Sequence, residues 1–243
     1  VKEWEYTPAK DHGLSPHDAL KSTWREPGLI SSLFHTIWLT VCQVYFKTYH
    51  RLTVRDSGFF PQAGPFVVVA NHCSHLDAPA VISSLPRKLR PVAYPLAAGD
   101  AFFSTTRGAW FGALFLNALP VWRKRSARHS LGDLRNRLEK RNVVFILFPE
   151  GTRSRDGEMG AFKPGVGMLV AGSTVPVVPC HIEGTFRSLP PGAKWPKRSP
   201  LAVTVSEPVT FPDQNHDREG WISIANRLAQ RIKDLEPSPV DSV

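Results

Sequence analysis

The sequence predicts an α/β fold: one domain with a mixed, mostly parallel central sheet flanked by helices, preceded by an N-terminal helical segment that associates with a membrane. Three observations carry this. Residues 65–70 and 143–148 are uninterrupted apolar, β-rich runs that pass straight into polar turns, as buried strands do. Apolar positions recur at helical spacing in 130–141 (Leu131, Leu134, Leu138) and in 219–235 (Trp221, Ala225, Leu228, Ile232). A chain of 243 residues, 42% hydrophobic and 21% charged, is long and apolar enough for one sizeable core.

Taken in order, residues 1–27 are polar and turn-rich, with Pro8, Pro16 and Pro27, and read as a loosely packed arm. Residues 29–46 then form an uncharged run of 18 residues, the least that could span a bilayer. Ser31, Ser32, His35, Thr36, Thr40 and Gln43 lower its apolarity, while Trp24, Trp38, Tyr45 and Tyr49 supply interfacial aromatics and Arg25, Lys47 and Arg51 flank it. A helix lying in one leaflet, a buried core helix and a true span all remain open, and attachment to a membrane surface is favoured. This places an N-terminal unit at 1–54 and the main domain at 55–243. No basic start with a small-residue cleavage pattern marks a signal peptide, and Val1 in place of Met suggests a trimmed or processed chain.

Within the main domain, residues 78–85 read as a short helix and 91–98 as an apolar segment. The aromatics of 100–116 suit either ordinary core or the lining of an apolar tunnel. The basic run at 123–128 suits a solvated face or an anion site. A small-residue helix is expected at 166–173 and a further strand at 201–205. Pro176 and Pro179 make 175–180 an edge or irregular strand. No internal repeat appears.

The 30 Lys and Arg outnumber the 21 Asp and Glu, giving a net charge of +9. That favours anionic partners such as lipid headgroups or phosphorylated substrates, and without any nucleic-acid-binding signature it does not favour nucleic acid. Cys42, Cys73 and Cys180 are odd in number and far apart, which suggests free thiols in a reducing compartment. His181 and Glu183 lack a third ligand, so no metal site is expected.

The residues that suggest chemistry follow the two apolar runs. After the first comes Asn71-His72-Cys73-Ser74-His75-Leu76-Asp77. A neutral imidazole takes a proton near pH 7, and a carboxylate can fix its tautomer. Side chains five apart do not meet on one helix, so His72 must sit on the loop, with Asp77 in or just before the first helical turn. The same residues also suit a plain helix start, with Asp77 before Ala78-Pro79 as N-cap or Ser74 and Asp77 as a capping box. After the second run comes Pro149-Glu150-Gly151-Thr152-Arg153-Ser154. Gly151 permits close backbone approach, Thr152 and Arg153 offer donors to a phosphate, and Glu150 offers an acceptor to a hydroxyl. Lys163 adds a cation. The alternative is a surface turn with a local Glu150–Arg153 pair.

In this order the motifs resemble the glycerolipid acyltransferase family of the lysophosphatidic acid acyltransferase type, over about residues 60–190. Its first motif, His, four residues, Asp, is similar to His72–Asp77. Its second, ending in arginine, is similar to Leu119-Pro-Val-Trp-Arg123, although Pro-Val-Trp stands where the family often has Phe-Ile-Asp. Its third, Phe-Pro-Glu-Gly-Thr-Arg-Ser, stands intact at residues 148–154, and its fourth is similar to residues 175–179. The resemblance implies transfer of an acyl group from acyl-CoA or acyl carrier protein to the hydroxyl of a 1-acyl-glycerol-3-phosphate. His72 would be general base and Asp77 its orienter. Arg123, Arg153 and Lys163 would hold the phosphate, with Glu150, Gly151 and Thr152 shaping the glycerol site. No cofactor or metal is implied, and the expected location is the cytoplasmic face of a membrane. Glycerol 3-phosphate or another lysophospholipid as acceptor, a thioesterase or hydrolase using Cys73 or a serine, and a non-catalytic lipid-binding protein are the alternatives.

Overall fold

The computed structural model describes residues 13–25, 28–103, 105–122 and 127–237. Helices α1 (Pro16–Leu20) and α2 (Leu29–Thr48) precede strands β1 (Thr53–Arg55) and β2 (Phe66–Ala70). Next come α3 (Asp77–Ser84), a 3-10 turn at Arg87–Val92, β3 (Ala93–Ala98), α4 (Gly99–Phe102), α5 (Thr106–Leu114) and β4 (Leu119–Val121). The remaining elements are α6 (Ala127–Lys140), β5 (Val144–Leu147), α7 (Gly165–Val170), β6 (Ser173–Glu183), α8 (Thr185–Ser188), β7 (Ala202–Val205), β8 (Val209–Phe211) and α9 (Arg218–Lys233).

The strands form one sheet in the order β1-β7-β6-β2-β5-β3-β4, with β8 also on β6. β2 lies at its centre, parallel to β5 on one side and to β6 on the other. β7 and β8 run antiparallel to β6, so the sheet is mixed and mostly parallel. Alternation along β2 explains its unbroken apolarity. Val67 and Val69 face a cluster built with Leu134 and Leu138 of α6, Leu169 of α7 and Leu228 of α9. Phe66, Val68 and Ala70 face the other layer, with Val81 and Ile82 of α3. Both faces are covered, so neither can be polar. Gly167 lets α7 approach α9 closely, because a Cβ there would run into the backbone of Trp221.

Of the two forms expected for the proline-containing strand, β6 takes the irregular one. It is an interior strand, hydrogen-bonded on both edges, and not an edge strand. Its prolines fall where the antiparallel ladder is broken. Pro176 lies in the register shift between Ser173 and Val177, and Pro179 lies between the last pairing with β8 at Val177 and the first with β7 at Cys180. A missing N–H costs nothing where no ladder bond is made.

Of the expected loose arm, the described end near Arg25 is held to the main domain. Residues 1–12, 26 and 27 lie outside the described residues, but Arg25 is buried and donates to Asn117 Oδ1 (3.1 Å) and the Ala118 carbonyl (3.0 Å). Arg137 in turn donates to the carbonyls of Thr23 (2.6 Å) and Arg25 (3.2 Å). α2 packs through Cys42 and Phe46 against Ala80 of α3 and Leu201. Its outer face exposes Leu33, Phe34, Ile37, Val41 and Val44, each 52–62% accessible. Among the described residues no helix is long and apolar enough to cross a membrane, which removes the spanning alternative for 29–46. The aromatics of 100–116 divide: Phe103 is buried beside Ala109 and Ala118, Phe115 meets Trp38 edge-on at 5.2 Å, and Trp110 is exposed.

Candidate active site

β2 and β5 end side by side, and the two turns that leave them meet. Asn71 anchors the first. Its buried amide donates to the Ile182 carbonyl (3.0 Å) and accepts the Ile182 N–H (2.8 Å), tying the end of β2 to β6. His72 follows on the loop. Asp77 is the first residue of α3 and is fully buried.

Asp77 Oδ2 accepts three hydrogen bonds, from His72 Nδ1 (2.8 Å), Cys73 N–H (2.7 Å) and Ser74 N–H (2.8 Å). Because Oδ2 can only accept from these groups, Nδ1 carries the proton and Nε2 of a neutral His72 keeps its lone pair. Among the described residues Nε2 has no hydrogen-bond partner, and the ring remains accessible from one side. The Phe148 ring stacks on the imidazole at 4.3 Å and 22°, fixing its plane. The helix-start reading is partly realised as well. Asp77 reaches back to the Ser74 N–H, but Leu76 is the N-cap and the Ser74 hydroxyl goes to the Leu189 carbonyl (2.8 Å).

The second turn is bolted to the first. Glu150 Oε1 accepts the His72 N–H (2.7 Å), and Oε2 accepts the Gly160 N–H (2.9 Å). The Ser154 N–H returns to the His72 carbonyl (2.8 Å). Burial pushes the Glu150 carboxyl above its usual range, against the pull of those two backbone N–H groups. Glu150 is thus buried, and its carboxylate joins two backbone turns. Among the described residues Glu150 and Arg153 form no ion pair. The amides of His72, Cys73 and Ser74, the nearest to the imidazole, are all taken by carboxylates, so none of them is free to stabilise an oxyanion.

Two cations belong to the second turn, Arg153 within it and Lys163 against Gly151. Gly151 adopts φ +72°, and a Cβ there would lie 2.6 Å from Lys163 Nζ, so the glycine makes room for that ammonium. Lys163 is held by its own N–H to the Pro149 carbonyl (2.9 Å). Arg153 is half-buried, and Thr152 is exposed. Partial desolvation, and then the charge of Arg153, holds the His75 imidazole below the ordinary histidine range. Arg123 lies outside the described residues.

Three residues suggested by sequence for other chemistry, Cys73, His181 and Glu183, have other surroundings than that chemistry needs. Cys73 is buried against Thr185 Oγ1 at 3.2 Å, and burial, then the Asp77 charge, pushes its thiol up to about 12. It is not a thiolate near neutrality. Glu183 is paired with Arg55 at 2.8 Å and lies 3.9 Å from His181, and among the described residues no group of three ligands could hold a metal ion. Asn71 and Phe148 escaped the sequence reading as site residues. Asn71 opens the first polar turn and Phe148 opens the third motif, but sequence alone assigned neither a role.

Residues 51–183, more than half of the chain, match the family model described as Acyltransferase. The 1-acyl-sn-glycerol-3-phosphate acyltransferase alpha of Homo sapiens is 35% identical over 134 residues, covering 53% of this chain and 44% of that protein. The 1-acyl-sn-glycerol-3-phosphate acyltransferase of Limnanthes douglasii is 28% identical over 187 residues, covering 72% and 62%. The chain spans about half the length of the curated relatives it matches. The crystal structure of the 1-acyl-sn-glycerophosphate (LPA) acyltransferase PlsC from Thermotoga maritima superposes with a TM-score of 0.59 at 23% identity, over 86% of this chain and 96% of that one, a likeness of fold. On the match over residues 51–183, this chain belongs to the Acyltransferase family.

Proposed function

We propose that this protein transfers a fatty acyl group from a thioester, acyl-CoA or acyl carrier protein, to the free hydroxyl of 1-acyl-glycerol-3-phosphate, giving phosphatidic acid. The observation that carries this is the orientation of His72: Nδ1–H held by a buried carboxylate, and Nε2 without a hydrogen-bond partner among the described residues on a partly accessible ring. Nε2 removes the proton from the acceptor hydroxyl as its oxygen attacks the thioester carbonyl. Asp77 offsets the charge that grows on the imidazolium, and the proton then passes to the departing thiolate. No side chain is acylated. Arg153 and Lys163, with Arg123, bind the acceptor phosphate. Thr152 and the backbone at Gly151 border the glycerol, and Glu150 keeps the two turns in register.

The exposed apolar face of α2 supports attachment at a membrane surface, which we take to be the cytoplasmic one. A lysolipid chain leaves the bilayer at a cost of about 0.8 kcal/mol per CH₂, so an enzyme seated on the surface avoids that cost. The inert Cys73 thiol speaks against a hydrolase built on it.

The test is thiol release from acyl-CoA with an acceptor panel: lysophosphatidic acid, glycerol 3-phosphate, lysophosphatidylcholine, or none. The reading expects release dependent on lysophosphatidic acid, with phosphatidic acid as product. Equal release without acceptor contradicts it in favour of a thioesterase.

A further inference from the structure

The site described above uses the first turn of α3. Beyond its last turn, about 12 Å away for eight residues at 1.5 Å each, the Arg87–Val92 turn packs against α2. The two enclose a groove of about 410 Å³ lined by Thr36, Thr40, Gln43, Val44, Arg87 and Arg90, among others. Arg90 spends one N–H on the Leu85 carbonyl (2.9 Å). Neither arginine has a carboxylate within ion-pair distance among the described residues. Burial of Arg90, and then the like charge of Arg87, disfavours its charged form, a penalty that an anion in the groove would relieve. The other wall offers acceptors. The Thr36 and Thr40 hydroxyls donate to the helix backbone and keep their lone pairs, and Gln43 Oε1 is buried without a partner among the described residues.

The groove is continuous with the apolar face of α2, because Val44 belongs to both. Guanidinium donors beside hydroxyl and amide acceptors, along the edge of an exposed apolar stripe, match an amphiphile whose head joins a phosphate to a hydroxyl. We propose that this groove binds the headgroup of an anionic glycerophospholipid of the bilayer, separately from the acceptor at His72, and so sets how α2 lies on the surface. The proposal rests on the membrane-surface reading of α2.

Sedimentation with vesicles of phosphatidylcholine, alone or mixed with phosphatidylglycerol, tests it on the full chain. Wild type should bind both and prefer the mixture. The double variant Arg87→Gln/Arg90→Gln should lose affinity for mixed vesicles by about fivefold per charge, about twenty-five-fold together, and keep its binding to phosphatidylcholine alone. Arg87→Lys/Arg90→Lys keeps the charge without the planar fork and should recover part of the loss. Arg218→Gln/Lys233→Gln removes the same charge from exposed positions on α9, across the sheet from α2, and should change little. An equal loss in both glutamine pairs, or none in the Arg87/Arg90 pair, overturns the groove. Failure of wild type to bind either vesicle overturns instead the membrane reading on which it rests.

Discussion

Glu150 Oε1 accepts the backbone N–H of His72 at 2.7 Å, so the turn after β5 holds the turn after β2 by a buried carboxylate. The motif residue that sequence would aim at substrate therefore acts through the position of another residue. Glu150→Gln preserves the shape but turns an amide NH₂ toward either the His72 or the Gly160 N–H. Relief of a buried charge offsets part of that conflict, and a net loss of about 1–2 kcal/mol is expected by denaturant unfolding. With the His72 loop displaced, kcat should fall more than KM rises, which steady-state kinetics will read.

Asp77→Asn should be a milder lesion than loss of His72. The Cys73 and Ser74 N–H groups both point at Oδ2, so they select the rotamer that puts the amide oxygen there, and His72 keeps its Nδ1–H partner. What is lost is the charge that offsets the developing imidazolium. A fall in kcat smaller than that of His72→Ala is expected, short of the roughly 10²–10⁴ of a whole general acid–base contribution. A fall to the level of His72→Ala would show that the charge, not the orientation, carries the whole effect.

Gly151→Ala tests the cation beside the turn. Its φ of +72° costs a side-chain-bearing residue about 1–2 kcal/mol, and the new methyl meets Lys163 Nζ. The lysine tip is flexible and will move. Stability should therefore drop by about that amount in a thermal or denaturant melt, and KM for the phosphorylated acceptor should rise with little change for the thioester.

His35 gives a pH signature outside the active site. Nδ1 donates to the Phe115 carbonyl at 3.0 Å, and Nε2 is buried without a partner among the described residues. Desolvation lowers its folded-state value below the ordinary 6.5, despite that hydrogen bond. The unfolded chain thus takes up the proton first. Stability from this group is full above about pH 6.5 and is lost as the pH falls from there through the folded-state value. Denaturant midpoints measured between neutral and mildly acidic pH should decline in wild type, and His35→Leu should show a shallower decline, by up to one proton.

Much of this was legible in the sequence because the layers enforce it. A strand covered on both faces has to read as Phe-Val-Val-Val-Ala, and the two such runs mark neighbouring strands whose exits meet. The five-residue spacing of His72 and Asp77 sufficed to put one on the loop and the other at the helix start. Pro176 and Pro179 made the irregularity of β6 legible but not its interior place, because the sequence does not show that the ladder shifts register at Pro176 and changes partner at Pro179. Glu150 and Phe148 were obscured for a related reason. A carboxylate bonded to backbone N–H groups 78 residues back and 10 ahead, or a ring stacked on an imidazole, leaves no local pattern. The hold of Arg25 on Asn117 and Ala118 is likewise a contact over 92 and 93 residues.

The most direct test of the account is thiol release from acyl-CoA in the presence of lysophosphatidic acid, by wild type and by His72→Ala, with matched unfolding curves. The account predicts acceptor-dependent release in wild type, a fall in the variant of at least about 10²–10⁴, and a folded variant. Acceptor-dependent release that survives in a folded His72→Ala protein would contradict the assignment of His72 as the base.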